Sequence, residues 1–237
     1  MLPDELVGEV NALFSAPWDM RNGQVVPDLS NIALEANEAV RLSATILYAD
    51  LADSTPMVDN SPPLSAAEVY RAFLHSAARA IRSEHGVVTA YDGDRVMAVF
   101  IDDKDKNTRA VRAAFKINHA VALIVNPAIR QKWPDTTYVM KHVVGIDTSE
   151  VHVARAGVRG ATDLVWIGRA ANHAAKLAAL PSDNATYISA NVYQAMHESV
   201  RLSIPTPTSP SVDMWRPYDW TGLDGSRIYG SSWRWWP

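Results

Sequence analysis

The spacing of apolar positions changes several times along the chain, and each change predicts an element. In residues 4–14, Leu6, Val10 and Leu13-Phe14 fall on one side of a short helix. Residues 15–40 predict an ordered arm, with Pro17-Trp18, Gly23 and Val25-Val26-Pro27. Thr45–Thr55 reads T-I-L-Y-A-D-L-A-D-S-T. There Ile46, Leu47 and Ala49 predict a buried strand that delivers Asp50 into a small polar turn of Asp53, Ser54, Thr55 and Pro56. Within 65–85, Val69, Phe73, Ala77 and Ile81 recur every four positions, a helix that Gly86 stops. His85–Phe100 holds two apolar runs about Asp92-Gly93, a dipeptide suited to a two-residue hairpin turn, and Asp94 opens the second arm. Asp105–Val125 predicts another helix, with Val111, Ala114, Phe115, Asn118 and Val121 near one face. Tyr138–Gly145, Val151–Val153 and Leu164–Ile167 read as strands, and Arg169–Leu180 as an Ala-rich helix after a Gly turn. Ala185–Ser189 and Ala190–Val200 predict a last strand and helix.

The order β-α-β-β-α-β predicts the α+β class, a ferredoxin-like core whose antiparallel sheet is covered by helices on one face. The tail, Pro205–Pro237, changes character: prolines fall at 205, 207, 210 and 217, and tryptophans at 215, 220, 233, 235 and 236. Aromatics at that density need burial, against the chain's own domain or a twofold partner, or they form a docking surface for another protein. The expected division is an N-terminal helix and arm (1–40), a main domain (41–204) and the tail (205–237).

Composition narrows the class. The 237 residues are 48% hydrophobic, enough for one substantial core. A net charge of −4 and the lack of any basic block argue against a general nucleic-acid binder. No window approaches the roughly 18 apolar residues a membrane span needs, and the acidic Met1-Leu2-Pro3-Asp4-Glu5 start lacks a signal-peptide pattern. There is no cysteine, which excludes disulfides and thiolate chemistry and fits a cytoplasmic setting.

The strand-to-turn edge at Asp50 presents a carboxylate and, beyond it, a row of backbone N–H groups. It suits a metal ion at the carboxylate and phosphate oxygens at the amides. Alone, Asp50 or Asp94 reads equally as a turn former. Together with the third stretch, D-L-V-W-I-G-R-A-A-N-H-A-A-K-L-A-A-L at Asp163–Leu180, they form a more specific pattern.

These three stretches resemble the class III nucleotide cyclases over roughly residues 41–200. Y-A-D-L-A-D-S-T looks like the family's F-A-D-I-x-G-F-T, and Gly93–Phe100 looks like G-D-x-V-M-A-V-F. Ile167-Gly168, Asn172 and Lys176 look like I-G-x-x-V-N-x-A-x-R, and Gly145–Val151 is similar to G-I-H-T-G-E-V. The resemblance implies cyclisation of a nucleoside triphosphate with two divalent cations, Mg²⁺ or Mn²⁺, held by Asp50, Asp94 and the Leu51 carbonyl. It implies phosphate contacts from Ala52, Asp53, Ser54 and Thr55. It implies that Asn172 orients the ribose and that Lys176, in place of the family's Arg, meets the phosphates. Those two residues are four apart and share a helix face. Arg95 and Arg169 are further candidate phosphate contacts, and Arg227 a weaker one. Metal ligands and late-helix residues come from different subunits in the family, which implies a homodimer with composite sites. About forty residues precede the first strand, fewer than an independent sensor domain needs. Regulation is therefore expected from a partner, a small signal or expression.

Ala90 and Val165 stand where purine-specific members carry base-reading side chains, and neither can hydrogen-bond. Tyr48, Tyr91 and Trp166 crowd the same neighbourhood and favour a one-ring base, unless they are core residues and main-chain groups read the base. This pattern resembles the bacterial pyrimidine cyclases of antiphage signalling, whose cyclic UMP or cyclic CMP activates a separate effector. UTP is favoured over CTP. The alternatives are an adenylate or guanylate cyclase with an unorthodox pocket, and a catalytically inactive cyclase-homology module that only binds.

Overall fold

The computed structural model describes residues 2–34, 37–102, 104–158, 160–223 and 225–235, the side chains of Leu2 and Leu223 excepted. The elements in chain order begin with α1 (Leu2–Ser15), β1 (Asp19–Asn22), β2 (Glu38–Ala52), α2 (Ser54–Asp59), α3 (Pro63–Ser83), β3 (Val87–Asp92) and β4 (Arg95–Phe100). There follow α4 (Lys106–Ala120), α5 (Asn126–Lys132), β5 (Lys141–Val158), β6 (Ala161–Ile167), α6 (Arg169–Ala178) and β7 (Thr186–Ser189). The last are α7 (Ala190–Ala195), β8 (Arg216–Trp220) and β9 (Ser226–Ser231).

The nine described strands form one sheet in the order β3-β4-β2-β5-β7-β9-β8, with β1 beside β2 and β6 beside β5. Only β1–β2 and β5–β7 pair in parallel. The α+β expectation therefore holds. Alternation along β2 assigns the faces. Leu47, Ala49 and Leu51 meet the core under α3 and α4, with Phe73, Ala77, Val111 and Phe115. Leu42, Ala44 and Ile46 point the other way and meet Ala170, Ala171 and Ala174 of α6. Helices thus cover both faces of the sheet rather than one. The small residues of α6 allow this close crossing, and so does Gly145 of β5: a Cβ there would lie 2.2 Å from the Ala174 carbonyl oxygen.

Gly145 is therefore a packing glycine and not a turn. The two strands expected at 138–145 and 151–153 are one 18-residue strand, β5, because Arg41–Ile46 of β2 pairs without a break with Asp147–His152. The hairpin turn is Gly93-Asp94, one residue later than expected. Asp92 pairs with Arg95, and Gly93 at the first turn position takes a left-handed φ of 59°. Asp53–Pro56 is not an open turn but the start of α2, with Asp53 at its N-cap. The helix from residue 105 continues through a π-helical stretch, Val121–Val125, into α5. The last helix ends at Ala195, and Glu198–Val200 is a separate 3-10 turn.

Beyond residue 205 the chain adds β8 and β9 as a hairpin on β7. Trp215 and Trp220 are buried, Trp233 is exposed and Trp235 packs beside the core. Trp236 lies outside the described residues. One buried amide ties this tail to the helices. Asn118 Nδ2 donates to the Trp233 carbonyl at 2.8 Å, while its Oδ1 lies 2.8 Å from His142 Nε2. Since Asn118 Oδ1 can only accept, His142 carries its proton on Nε2. Burial pushes the His142 pKa down to about 4.

Gly145→Ala is expected to destabilise the fold by about 1–3 kcal/mol or more in urea melts, because the new methyl meets helix backbone that cannot yield. His142 gives a second expectation, in pH. Its folded pKa lies below the unfolded value, so its contribution is complete above about pH 6.5 and is lost as pH falls toward about 4. Stability should drop by roughly 3 kcal/mol across that window, and urea melts of His142→Gln should show a shallower dependence.

Candidate active site

Two acidic residues stand together at one end of the sheet. Asp50 is the last residue of β2 paired with β4, where it faces Arg95. Asp94 is the next residue outward from Arg95, in the hairpin turn. Asp94 thus lies in the turn one residue from the Asp50–Arg95 pair, close enough for its charge to act on Asp50. Leu51 lies one residue past the end of the β2–β4 ladder and pairs only with His142 on the other side.

The electrostatics are those of an acid pair with one resident cation. Arg95 Nε and Nη2 donate to Asp50 Oδ2 at 3.0 and 2.6 Å. Burial raises the Asp50 pKa, Arg95 opposes that, and the neighbouring Asp94 charge adds to the rise. Asp94 Oδ2 is buried with no hydrogen-bond partner. The Tyr138 hydroxyl is also buried and unpartnered. Its pKa is pushed up to about 12 by burial first, then by charge at Tyr70, Asp53 and Asp94. Buried orphans of this kind mark a missing polar partner. Hard carboxylate oxygens, one of them unsatisfied, fit Mg²⁺ or Mn²⁺. Among the described residues no three His, Asp or Glu side chains cluster into a complete metal cage. That suits ions which take their remaining ligands from water, main chain and phosphate.

Next to the pair, Asp53 adopts φ 56° and ψ 35°, a left-handed conformation uncommon for a residue with a side chain, and its carboxylate makes no cap bond. Ala52, Asp53, Ser54 and Thr55 form the corner into α2. Pro56 has no N–H, so the amide row expected there reduces to Ser54 and Thr55 at its free end.

The candidate base residues separate. Tyr48, Ala90 and Trp166 pack on the α6 side of the sheet, and the Arg95 guanidinium lies 5.9 Å from the Tyr48 ring centre. Val165 and Tyr91 point to the opposite face and are exposed. Trp166 pairs with Val153, which faces Val40, whereas Tyr48 lies toward the other end of β2, about 26 Å away along extended chain. One protomer cannot bring Trp166 to its own Tyr48. Asn172 and Lys176 are exposed on α6, turned from the core.

Arg169 is held within its own protomer. It donates to the Thr148 carbonyl at 2.7 Å and lies 3.7 Å from Asp147. Asp147 is fully buried, accepts from Ser189, and stands 3.1 Å from His173 Nδ1. Burial lowers the His173 pKa, against the pull of Asp147. Sequence reasoning missed this cluster and Tyr138, because none of these residues carries a spacing signal of its own.

The asymmetry between the acids predicts different stabilities in divalent-free buffer. Asp50→Asn loses a charge-assisted pair and should cost about 1–2 kcal/mol. Asp94→Asn removes an unpartnered charge and should be neutral within about 0.5 kcal/mol or stabilising. Thermal melts with and without Mn²⁺ check this: the cation should raise the melting temperature of the unsubstituted protein and of neither variant.

No family model matches the sequence. The chain is 46% identical over 234 residues to a uridylate cyclase of Xanthomonas perforans, covering 99% of this chain and 98% of that protein. It is also 46% identical over 235 residues to a uridylate cyclase of Burkholderia cepacia, with the same coverage. A Rhodovulum uridylate cyclase matches at 34% over 98% of this chain and 96% of its own length. Among solved structures, the adenylyl cyclase CyaB of P. aeruginosa superposes with a TM-score of 0.66 at 20% identity, covering 82% of this chain and 95% of that one. The guanylyl cyclase Cya2 gives 0.67 at 20%, covering 83% and 95%. This likeness over nearly the full length places the chain in the uridylate cyclase family, as an enzyme of the nucleotide cyclase type on the class III fold.

Proposed function

We propose that the enzyme converts UTP to 3′,5′-cyclic UMP and pyrophosphate. The observation that carries this reading is the Asp50–Asp94 pair with its unsatisfied Oδ2, in a chain 46% identical to uridylate cyclases. The reaction joins the ribose 3′ oxygen to the α-phosphorus and breaks the bond to the β-phosphate, and the 3′-OH proton leaves to solvent. Asp50, Asp94 and the Leu51 carbonyl would hold two divalent cations. When bound, these supply the Lewis acidity that acidifies the 3′-OH and offsets phosphate charge.

Arg95 already neutralises Asp50 in the free protein. It is placed to turn to a phosphate when a cation takes over the carboxylate. Ser54 and Thr55 offer amides to the phosphates at the α2 corner, with Ala52 and Asp53 shaping it. Asn172 orients the ribose and Lys176 meets charge developing on phosphorus. Both stand on the outer side of α6, so they serve the site of a second copy, giving a homodimer with two composite sites. The separation of Tyr48 from Trp166 supports the same pairing, with Tyr48 and Ala90 from one copy and Trp166 from the other beside the base. Val165 and Tyr91 face away and are left out of this pocket, and Arg169 acts on α6 rather than on phosphate. Among the described residues no helix is long and apolar enough to cross a membrane. A cytoplasmic second-messenger synthase of antiviral defence, read by a separate effector, is the role this activity suits.

Purified protein with Mn²⁺ and each of the four ribonucleoside triphosphates, resolved by chromatography, tests this. Cyclic UMP is the expected main product. Asp50→Ala and Asp94→Ala should each lower its rate at least about 10³-fold. A purine product would replace the substrate assignment, and no product from any triphosphate would leave a binding module.

A further inference from the structure

Every residue from 3 to 22 is exposed, so α1 and β1 present a surface their own domain does not cover. Leu6, Val10, Leu13 and Phe14 share one side of α1, and Phe14 is 87% exposed. A free helix of this length is marginal in water. The root of the arm is nevertheless fixed. Asn37 Nδ2 donates to the carbonyls of Leu13 and Ala16 at 3.0 and 2.9 Å, and Asp19 N donates to the Asn37 carbonyl at 2.7 Å. The helix is held away from its own sheet and presented outward.

The sheet beside that root carries a matching gap. Met20, Ala39, Ala154 and Val165 form one row across β1, β2, β5 and β6, and Asn22, Arg41, His152 and Ile167 form another. Both rows face away from α6, because Val40 and Val153 between them belong to the α6-side core. On this face Lys106 of α4 donates from Nζ to Ser43 at 3.0 Å. Beyond it Met20, Val165 and Ile167 stay exposed, with the small Ala39 and Ala154 buried between Met20 and Val165. Arg41 stands among them, 3.7 Å from Glu150 and also exposed, whereas α1 carries Asp4, Glu5 and Glu9 and no basic residue.

We infer that α1 of one copy lays its Leu6–Phe14 side on the uncovered Met20–Val165–Ile167 face of a second copy, reciprocally about a twofold axis. Exchange of this kind covers both unpartnered surfaces with no third component and brings an acidic helix to Arg41. It rests on the pairing of two copies proposed above but not on the choice of substrate. Its test reads assembly and not turnover.

The chain has no cysteine, so introduced thiols report without interference. Phe14→Cys and Ile167→Cys, purified separately, are mixed, allowed to exchange subunits and mildly oxidised. A covalent dimer on a non-reducing gel from the mixture, with each variant alone staying monomeric on the same gel, is the expected result. Adding Leu13→Asp to the Phe14→Cys chain should abolish the link and weaken the dimer at least about tenfold by sedimentation. Four results would overturn the inference. These are an internal bridge in the double-cysteine chain, self-linking of Phe14→Cys, no link in the mixture, or a Leu13→Asp dimer as tight as the unsubstituted one. Both positions are exposed, so circular dichroism of the variants should match the unsubstituted chain.

Discussion

The antiparallel pairing of β2 with β5, continuous from Ala39–Ala154 to Ala52–Lys141, is the constraint on which the rest depends. It makes β2 the spine of the sheet. The same strand carries the α3 and α4 core on one side, the α6 core on the other, and Asp50 where its pairing with β4 ends. A slip of one residue would move every side chain of β2 to the wrong face and turn Asp50 into an apolar layer. Burial of Leu47, Ala49 and Ile46 therefore does more than stabilise. It holds the carboxylate at one depth and one orientation.

That placement leaves an electrostatic imbalance at the sheet end. Two carboxylates lie within each other's field where one guanidinium hydrogen-bonds Asp50, and the αL backbone of Asp53 opens the next helix. An unsatisfied buried oxygen costs about 1–3 kcal/mol, which the packed strands below must offset. The Asp147 cluster offers a contrast within the same protein. Its buried Oδ1 accepts from Ser189 and the Thr148 amide, while its Oδ2, like that of Asp94, has no hydrogen-bond partner and stands 3.1 Å from His173 Nδ1. It joins α6 to β5 and β7 beside a cavity of about 210 Å³ lined by Arg169, His173 and Ser189. The difference between the two lies in the cationic side chains at hand: His173 and Arg169 stand beside Asp147 Oδ2, whereas Arg95 bonds Asp50 and not Asp94.

Elongation of the β5–β6 ribbon has a second consequence. It carries Trp166 far from Tyr48 and leaves Met20, Val165 and Ile167 exposed on the sheet near β1. A longer ribbon gives more surface than one protomer's helices can cover. The exposed α1 and the exposed α6 residues are two expressions of the same shortage of internal partners.

The sequence by itself determined the α+β class and most element positions, since these follow from local periodicity and from hairpin chemistry at Gly93, while the neighbouring of Asp50 and Asp94 was legible only through the family resemblance. Periodicity in Val69–Ile81 and in the Ala-rich α6 was legible because a 3.6-residue stripe survives whatever it packs on. Gly145 misled, because a glycine demanded by a crossing helix looks the same in sequence as one demanded by a turn. Asp53–Thr55 misled because polar residues suit both a turn and a helix start. Only the tertiary structure decided that α6 covers the second face, that Asp147 and His173 meet, that Tyr138 lies within the field of Asp53 and Asp94, and that Val165 and Tyr91 turn away from Tyr48. Each of these is a contact between residues distant in the chain or a choice between two faces. Such matters are settled by strand register and close packing, which no local pattern of residues encodes.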